Sequence, residues 1–269
     1  MIFLVEGAHA YCYTGGGPLD PELPTAVFIH GAQNDHSVWT QQTRYFAHHG
    51  FNVLAVDLPG HGRSKGAAKT SVEAMAAWLL ALLDAAGVER ALLAGHSMGS
   101  LVALEASYMA PGRVSGIAML GTTYPMKVSD ALLATSRDDE PAAIDMVNIW
   151  SHSMRAQNPD CPSAGVSTTG VARRLMQRMS AINPNQLFHT DFAACNAYAN
   201  GEAAANALQC PALFIFGSKD MMTPARSTKL LTSSVPHGKI VHVDAGHSLM
   251  SEQPCAVLDA LFAFATASV

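Results

Sequence analysis

The chain has 269 residues, of which 49% are hydrophobic and 14% are charged, and its formal net charge is −5. This composition supplies enough apolar side chains for one large buried core. The weak negative charge, with no long run of like charges, argues against nucleic acid or an anionic membrane surface as a partner.

The N-terminus and the cysteines indicate where the protein works. The apolar run at residues 1–5 is too short for a signal peptide, and no segment approaches the ~20 apolar residues of a membrane span. The five cysteines, among them Cys161, include no C-x-x-C pair. We therefore expect no disulfides and no zinc site, and a soluble, cytoplasmic protein that uses no metal or cofactor.

Short apolar runs alternate with longer helical patterns, an order typical of βαβ units and a mainly parallel sheet. Residues 2–5 and the glycine-rich turn at 15–18 predict a hairpin-like start at the sheet edge. The predicted strands are 26–30, 53–57, 91–95, 115–120, 212–217 and 239–243. The helices predicted between and after them are 71–86, 98–110, 224–234 and 252–265. The strands are almost continuously apolar, as expected when helices cover both faces.

Residues 123–208 interrupt this alternation with consecutive helical patterns. The clearest are 145–153, 171–182 and a helix beginning at Pro184. We expect residues 1–122 and 209–269 to form the core domain and 123–208 to form an inserted helical cap. Such a cap would cover the carboxyl ends of the strands, where ligands bind in open α/β sheets.

The segment G-x-S-x-G at residues 95–99 carries the strongest sign of chemistry. It lies directly between a predicted strand and a predicted helix, the context in which this motif forms a nucleophile elbow. The glycines leave room for the adjoining backbone, and the turn strains the serine. Ser97 is therefore the candidate nucleophile, although the motif alone also fits an ordinary glycine-flanked turn.

A serine hydroxyl needs a neighbouring base, and that base needs an acid to orient it. His247 follows the last predicted strand, and Asp220 follows the strand at 212–217, so both should lie at the same sheet edge as Ser97. Asp244 is the rival acid because it stands close to His247 in the sequence, but we expect it to end its strand. We assign His247 as the base and Asp220 as the acid.

An oxyanion needs two convergent backbone N–H donors, one after the nucleophile and one from the loop after an early strand. Met98 and Ala32 are the candidates for these two positions. We interpret His30 as a packing residue, and the glycine-rich turn at 57–64, which contains His61, as a brace for the elbow.

These motifs resemble those of the α/β-hydrolase superfamily and occur in its order, including Ser97, Asp220 and His247. The segments that carry the resemblance are HG at 30–31, DLPGHGRS at 57–64, GHSMG at 95–99, GSKD at 217–220 and GH at 246–247. The resemblance runs from about residue 29 to the C-terminus, apart from the cap. It implies an α/β-hydrolase fold, with a mostly parallel sheet of about eight strands flanked by helices, and an inserted helical cap.

Two departures narrow the activity that the resemblance implies. Ala32 and Gln33 follow His30-Gly31, so neither the HGGG of many lipases nor the Gly-Pro-Gly of proline iminopeptidases is present. A serine nucleophile differs from the aspartate of haloalkane dehalogenases and epoxide hydrolases.

The resemblance implies a Ser–His–Asp mechanism with an acyl-enzyme intermediate. The leading hypothesis is hydrolysis of a small ester, thioester or lactone, with an apolar or mixed substrate. The alternatives are a carbon–carbon bond hydrolase acting on a diketone-type ring-cleavage product, and a non-catalytic ligand-binding protein of the same fold. The sequence is compatible with a homo-oligomer but does not specify the oligomeric state.

Two groups of cap residues are open to a second interpretation. The cap methionines could form an adaptable pocket, although we expect ordinary packing: Met146, Met154, Met176 and Met179. The cap arginines could hold an acidic substrate, although we expect a solvated helix face: Arg173, Arg174 and Arg178.

Overall fold

The computed structural model describes residues 1–158 and 166–268, and Cys161 lies outside them. The strands are β1 (Ile2–Val5), β2 (Ala8–Tyr13), β3 (Thr25–Ile29), β4 (Asn52–Val56), β5 (Ala91–His96), β6 (Val114–Leu120), β7 (Ala212–Gly217) and β8 (Lys239–Val243). They form one eight-stranded sheet in the order β1-β2-β4-β3-β5-β6-β7-β8. Strands β3 to β8 are parallel, and β2 is antiparallel to β1 and β4.

Helices separate most of these strands. They are α1 (Thr40–Ala47), α2 (Val72–Ala85), α3 (Met98–Met109), α4 (Asp130–Asp138), α5 (Glu140–Ser151), α6 (Thr168–Ile182), α7 (Leu187–Ala197), α8 (Gly201–Asn206), α9 (Lys229–Ser234), α10 (Leu249–Glu252) and α11 (Pro254–Ala267). The predicted fold class is confirmed, and every predicted strand lies within one residue of its expected ends. Among the described residues, no helix combines the length and the apolar character needed to cross a bilayer.

The start of the chain differs from the prediction. The hairpin at the sheet edge exists, but Glu6 and Gly7, both with positive φ, close it in place of the turn at 15–18. Its second strand, β2, was not predicted, because its mixed sequence AHAYCY lacks the continuous apolar character of the central strands. Although β2 is paired on both sides, by β1 and β4, its residues alternate between buried and more exposed positions, and such a strand gives a weaker sequence signal than one buried on both faces.

Apolar side chains fill both sides of the sheet. Along β3, Val27 and Ile29 join the cluster under α2 and α3, whereas Ala26 and Phe28 join the cluster under α1 and α11. This alternation follows from the two-residue period of a strand. The sheet is therefore covered on both faces, and its carboxyl edge remains as the place where loops can gather polar groups.

Helices α4 to α8 lie between β6 and β7 and are called the cap helices below. Part of their apolar surface packs in a cluster of its own: Leu132, Ala143, Ile144, Val147, Met176, Phe188 and Phe192. Helix α7 also contributes Ala194 and Cys195 to the cluster under α2 and α3. The division of the chain into core and cap domains at residues 123 and 208 stays a prediction.

Candidate active site

Ser97 lies at the turn between β5 and α3 with φ 52° and ψ −119°. This left-handed conformation is strained for a residue with a side chain. A Cβ at Gly95 would overlap the carbonyl group of Gly99, and a Cβ at Gly99 would overlap the carbonyl group of Ile29. The glycines of the motif are thus required by the close approach of β5, α3 and β3, and the turn presents the half-buried Ser97 at the sheet edge.

Asp220 and His247 meet at the ends of their strands. His247 Nδ1 lies 2.8 Å from Asp220 Oδ2, and the Thr223 hydroxyl donates to the same oxygen over 2.7 Å. The other carboxylate oxygen accepts the backbone N–H groups of Met222 and Thr223, each over 2.8 Å. Burial alone would raise the pKa of Asp220, but the charge and hydrogen bond of His247 and the Thr223 donors lower it to about 2. The carboxylate is therefore ionised and accepts the proton of His247 Nδ1.

The rival acid lies elsewhere. Asp244 is exposed and pairs with Lys219 Nζ at 2.8 Å, at the end of β8. Thr223 was not singled out from the sequence, since only the fold shows that its hydroxyl reaches the Asp220 carboxylate.

His96 ties the elbow to the loop of His247. Its Nε2 donates to the His247 backbone carbonyl over 2.9 Å. Burial and the neighbouring His247 lower the pKa of His96 to about 3, so its ring is neutral. The same loop is fixed to the cap by the Ser248 N–H, which donates to the Ser151 carbonyl at the end of α5 over 2.9 Å.

The two candidate oxyanion donors lie beside the elbow. Met98 is the first residue of α3, so its N–H has no partner within the helix. Ala32 is half-buried and lines the same cavities as Ser97. A Cβ on the neighbouring Gly31 would lie 3.2 Å from Ser97 Cβ, which shows how closely this loop approaches the serine. The donor role of both N–H groups stays a prediction.

Gln33, directly after Ala32, anchors this loop to the cap. Its φ is 56°, and its N–H donates to Asp191 Oδ2 on α7 over 2.8 Å. Its side-chain amide lies 2.9–3.1 Å from Glu140 Oε1, the Met176 carbonyl and Ser180 Oγ, on α5 and α6. Three cap helices therefore hold the residue next to a candidate oxyanion donor, a link that sequence patterns do not reveal.

His30 and His61 support the same loop from below. The Leu58 N–H donates to His30 Nε2 over 3.2 Å, and His30 Nδ1 donates to the Gly31 carbonyl over 2.8 Å. Burial and the charge of His61 lower the pKa of His30 to about 4. Both histidines are buried, and their rings lie 4.7 Å apart. This agrees with the interpretation of His30 as a packing residue.

His61 Nε2 lies 2.9 Å from Asp191 Oδ2, and both side chains are buried. Burial favours the neutral ring, but the charge and hydrogen bond of Asp191 prevail and raise the pKa of His61. One carboxylate oxygen of the cap thus joins the turn at 57–64 to the Gln33 N–H.

Asp35, His36 and Asp57 come close enough to share a metal ion. Their carboxylates, however, are already occupied by protein donors. Those donors are the backbone N–H groups of His36, Ser37 and Arg63, the His36 ring, the Ser37 hydroxyl and the Arg178 guanidinium. The donor set therefore fits a braced turn better than a metal centre.

Two connected cavities open at Ser97, and five residues line both: Ala32, Ser97, Phe192, Met222 and His247. The polar cavity, about 60 Å³, is further lined by Gly31, Asn34, His96, Val147, Asn148, Ser151, His152, Ala172, Met176 and Ser248. The apolar cavity, about 190 Å³, is further lined by Met126, Lys127, Val128, Ser129, Leu132, Trp150, Cys195, Met221 and Thr223. Ser97 and His247 line both cavities, and the names polar and apolar refer only to side chains found in one of the two: histidine and asparagine in the first, leucine and tryptophan in the second.

The cap methionines and arginines, for which the sequence left two interpretations open, do not all behave alike. Met176 lines the polar cavity, Met179 is fully buried and Met154 is 90% exposed, so packing accounts for only some of the methionines. Arg173 pairs with Asp145 at the surface, and Arg178 pairs with Asp35; neither lines either cavity.

The chain is similar in sequence and in fold to known proteins. Residues 24–254 match the sequence profile of the family described as alpha/beta hydrolase fold. The chain is 25% identical to (E)-2-((N-methylformamido)methylene)succinate hydrolase of Acinetobacter baylyi, over 88% of this chain and 85% of that protein. The crystal structure of the enol-lactonase from Burkholderia xenovorans LB400 superposes with a TM-score of 0.86 at 20% identity, covering 99% of this chain and 100% of that one.

A longer relative is similar over most of this chain. It is the dihydrolipoyllysine-residue acetyltransferase component of the acetoin cleaving system of Pseudomonas putida, 27% identical over 93% of this chain. The match spans 64% of that protein's length, slightly less than two thirds.

The need for glycine at the elbow is testable. Gly95→Ala would force a methyl group into the backbone of α3, so we expect the free energy of unfolding to fall by roughly 2 kcal/mol or more. Urea denaturation measures this loss. Gly112→Ala is the control, because a Cβ there meets no atom within 4 Å. Equal losses in the two variants would contradict the packing argument.

The link between Asp191 and His61 predicts a titration change. In Asp191→Asn the neighbouring negative charge is lost and burial dominates, so we expect the pKa of His61 to fall from above 6.5 to below it. Imidazole NMR shifts followed against pH measure this pKa. Asp145→Asn removes a surface carboxylate of the cap and should leave the His61 titration unchanged; a shift of the same size in both variants would refute the specific contact.

Acid titration tests the state of Asp220. Its pKa is lowered from 3.8 to about 2, so its ionised form contributes stability that is present above pH 3.8 and lost as the pH falls through about 2. We expect wild type to exceed Asp220→Asn by roughly 2 kcal/mol in free energy of unfolding above this window. Urea titrations at a series of pH values measure the margin. A margin that persists unchanged below pH 2 would contradict an ionised Asp220.

Proposed function

The chain belongs to the α/β-hydrolase fold family and is a hydrolase, and from that premise we propose that it cleaves a small carboxylic ester, thioester or lactone. Ser97 is the nucleophile, His247 the base and Asp220 the residue that orients the base. The backbone N–H groups of Ala32 and Met98 bind the oxyanion. The helices at 123–208 act as a cap that encloses the substrate.

One observation supports the proposal above the others. Ser97, on a strained turn, lines the same two cavities as His247, and His247 is hydrogen-bonded through Nδ1 to the buried, ionised Asp220. Because the Nδ1 proton is held by the carboxylate, the Nε2 lone pair is available to a hydroxyl group. Activation of a serine in acyl transfer requires a neighbouring base that an acid holds in the right tautomer.

The first half of the reaction forms the acyl-enzyme. Ser97 Oγ attacks the carbonyl carbon of the ester while His247 Nε2 accepts the hydroxyl proton. The carbonyl oxygen becomes an oxyanion between the N–H groups of Ala32 and Met98. Collapse of this intermediate breaks the bond to the leaving oxygen or sulfur, which takes the proton from His247.

The second half restores the enzyme. Water attacks the acyl carbon of Ser97, and its proton passes to His247 Nε2. The second tetrahedral intermediate then releases the carboxylic acid, and Ser97 Oγ regains the proton. The net reaction consumes one water and yields one acid and one alcohol or thiol, or a hydroxy acid when the substrate is a lactone.

The similar proteins are consistent with this class of substrate. One related structure is titled an enol-lactonase, and another is titled an N-acyl homoserine lactone degrading enzyme, both of which name lactones. The carbon–carbon hydrolase alternative would need polar cap residues that contact a substrate carboxylate. Asn148 and His152 line one cavity and Lys127 lines the other, so a comparison of substrates is what separates the two reactions.

A fluorophosphonate probe tests the proposal, because it phosphonylates only an activated serine. We expect wild type to be labelled and to hydrolyse p-nitrophenyl esters, and Ser97→Ala to lose labelling and at least roughly 10³-fold in kcat/KM. Ser251→Ala, an exposed serine on α10, is the control and should behave as wild type. An unlabelled wild type would refute the hydrolase mechanism, and labelling retained in Ser97→Ala would refute the nucleophile.

A vinylogous diketone separates the two reaction types. Turnover of the diketone with no activity on any ester would overturn the ester assignment in favour of carbon–carbon cleavage. A protein that binds both compounds and cleaves neither would match the ligand-binding alternative.

A further inference from the structure

Three residues that line the polar cavity carry buried hydrogen-bonding atoms without a partner. Among the described residues, His96 Nδ1, Asn148 Oδ1 and His152 Nε2 are buried and have no hydrogen-bond partner. All of these residues line the polar cavity. Unpaired buried polar atoms are destabilising, and they are rare in folded proteins unless a ligand or water satisfies them.

In His96 and His152, the ring nitrogen that makes a hydrogen bond determines which nitrogen carries the proton. His152 Nδ1 lies 2.8 Å from the Asn148 carbonyl, and His96 Nε2 lies 2.9 Å from the His247 carbonyl. A carbonyl oxygen only accepts, so each of these ring nitrogens carries the proton. Burial and the charge of His247 lower the pKa of both rings, which keeps them neutral. His96 Nδ1 and His152 Nε2 are therefore acceptors.

Asn148 and His152 form one polar edge of the cap. They stand four residues apart at the end of α5, so their side chains lie on the same face. The Ser151 carbonyl between them accepts the Ser248 N–H over 2.9 Å, which fixes this edge to the loop of His247. The Asn148 amide, whose Oδ1 has no partner, adds a third polar group to the set, one that can accept and also donate.

The charges around the cavity distinguish between ligands. Within the part of the chain that the structure describes, neither lysine nor arginine lines the polar cavity, so a carboxylate there would meet the ring acceptors of His96 and His152 without a lysine or arginine to balance its charge. A hydroxyl or amide N–H would supply the missing proton. The neighbouring apolar cavity, lined by Leu132, Trp150 and Phe192, offers no comparable set of unpaired acceptors among the described residues.

We propose that the polar cavity is a subsite for a neutral hydrogen-bond donor of the substrate, a hydroxyl or amide N–H, held by His152, Asn148 and His96. The inference rests on the proposed function, since it places this donor on one side of the carbonyl that Ser97 attacks. The apolar part of the substrate occupies the apolar cavity. The substrate class is thus a neutral ester, thioester or lactone with one polar and one apolar arm.

Water is the competing occupant. The polar cavity is large enough for a water molecule, and several polar groups line it, as a buried water requires. A substrate hydroxyl replaces such a water without losing its hydrogen bonds, whereas a methyl group does not. Matched substrates that differ only by hydroxyl and methyl therefore separate the two cases.

The experiment compares kcat/KM within two such pairs. For the acyl side they are p-nitrophenyl 3-hydroxybutanoate and 3-methylbutanoate; for the alcohol side they are 2-hydroxyethyl and propyl butanoate. We expect wild type to favour the hydroxyl member by at least roughly tenfold in one pair. The ratio should fall towards one in His152→Phe and in Asn148→Leu. Leu132→Ala, in the apolar cavity, is the control and should keep the ratio.

Because the ratio is taken within one protein, a general loss of folding or of catalytic power cancels. Ratios near one in both pairs for wild type, as expected for a water-filled cavity, overturn the proposal even if neither variant folds. A preference that survives in both variants overturns the assignment to His152 and Asn148.

Binding to Ser97→Ala separates this subsite from the hydrolase mechanism. Calorimetry with 2-hydroxyethyl butanoate and propyl butanoate, and with N-methylbutanamide against 3-hexanone for the amide N–H, should give tighter binding to the donor member of at least one pair. If wild type lacks fluorophosphonate labelling but this preference is found, the proposed function fails and the subsite stands. If labelling is found and no pair shows a preference, the subsite fails and the proposed function stands.

Discussion

The turn at Ser97 brings β5, α3 and β3 into close contact, which is possible because Gly95 and Gly99 have no side chains. The other parts of the site take their positions from this turn. Helix α3 starts against the carbonyl end of β3, so the loop after β3 is drawn towards the serine. Since β5 lies between β3 and β6 in the sheet, the turn stands at the centre of the carboxyl edge. The residues that follow β7 and β8 reach it from one side, and those that follow β3 reach it from the other.

Two buried aspartates organise the polar groups around this turn. Asp220 comes from the end of β7 and orients His247, which faces the cavities. Asp191 comes from α7 of the cap and joins His61 to the loop after β3. Each carboxylate loses hydration on burial and recovers a hydrogen bond from a histidine. Asp220 also accepts two backbone N–H groups, whereas Asp191 accepts one on Oδ2 and its Oδ1 has no partner among the described residues. The first arrangement holds the His247 ring, and the second fixes the loop that carries Ala32.

The central strands could be predicted because each is a continuous apolar run between turn residues. Ser97, Asp220 and His247 could be selected because each directly follows such a strand, and the ends of parallel strands meet at one edge. The sequence did not predict β2 or the true turn of the first hairpin, because β2 alternates between buried and more exposed residues and lacks a continuous apolar run. Asp191, Asn148 and His152 gave no usable signal: they stand on cap helices, and their partners depend on how those helices dock on the core. Periodicity identifies a buried helix face, but it does not identify the residue of another element that the face meets.

Gln33 has a consequence for how such a protein can diverge. Its backbone N–H and its side-chain amide are held by residues of α5, α6 and α7, so the loop beside the serine depends on three helices that also shape the cavities. A change in how these helices dock would therefore be transmitted to the loop that carries Ala32. If other helices replaced them, the new ones would have to supply hydrogen-bond partners for Gln33 to hold that loop in place.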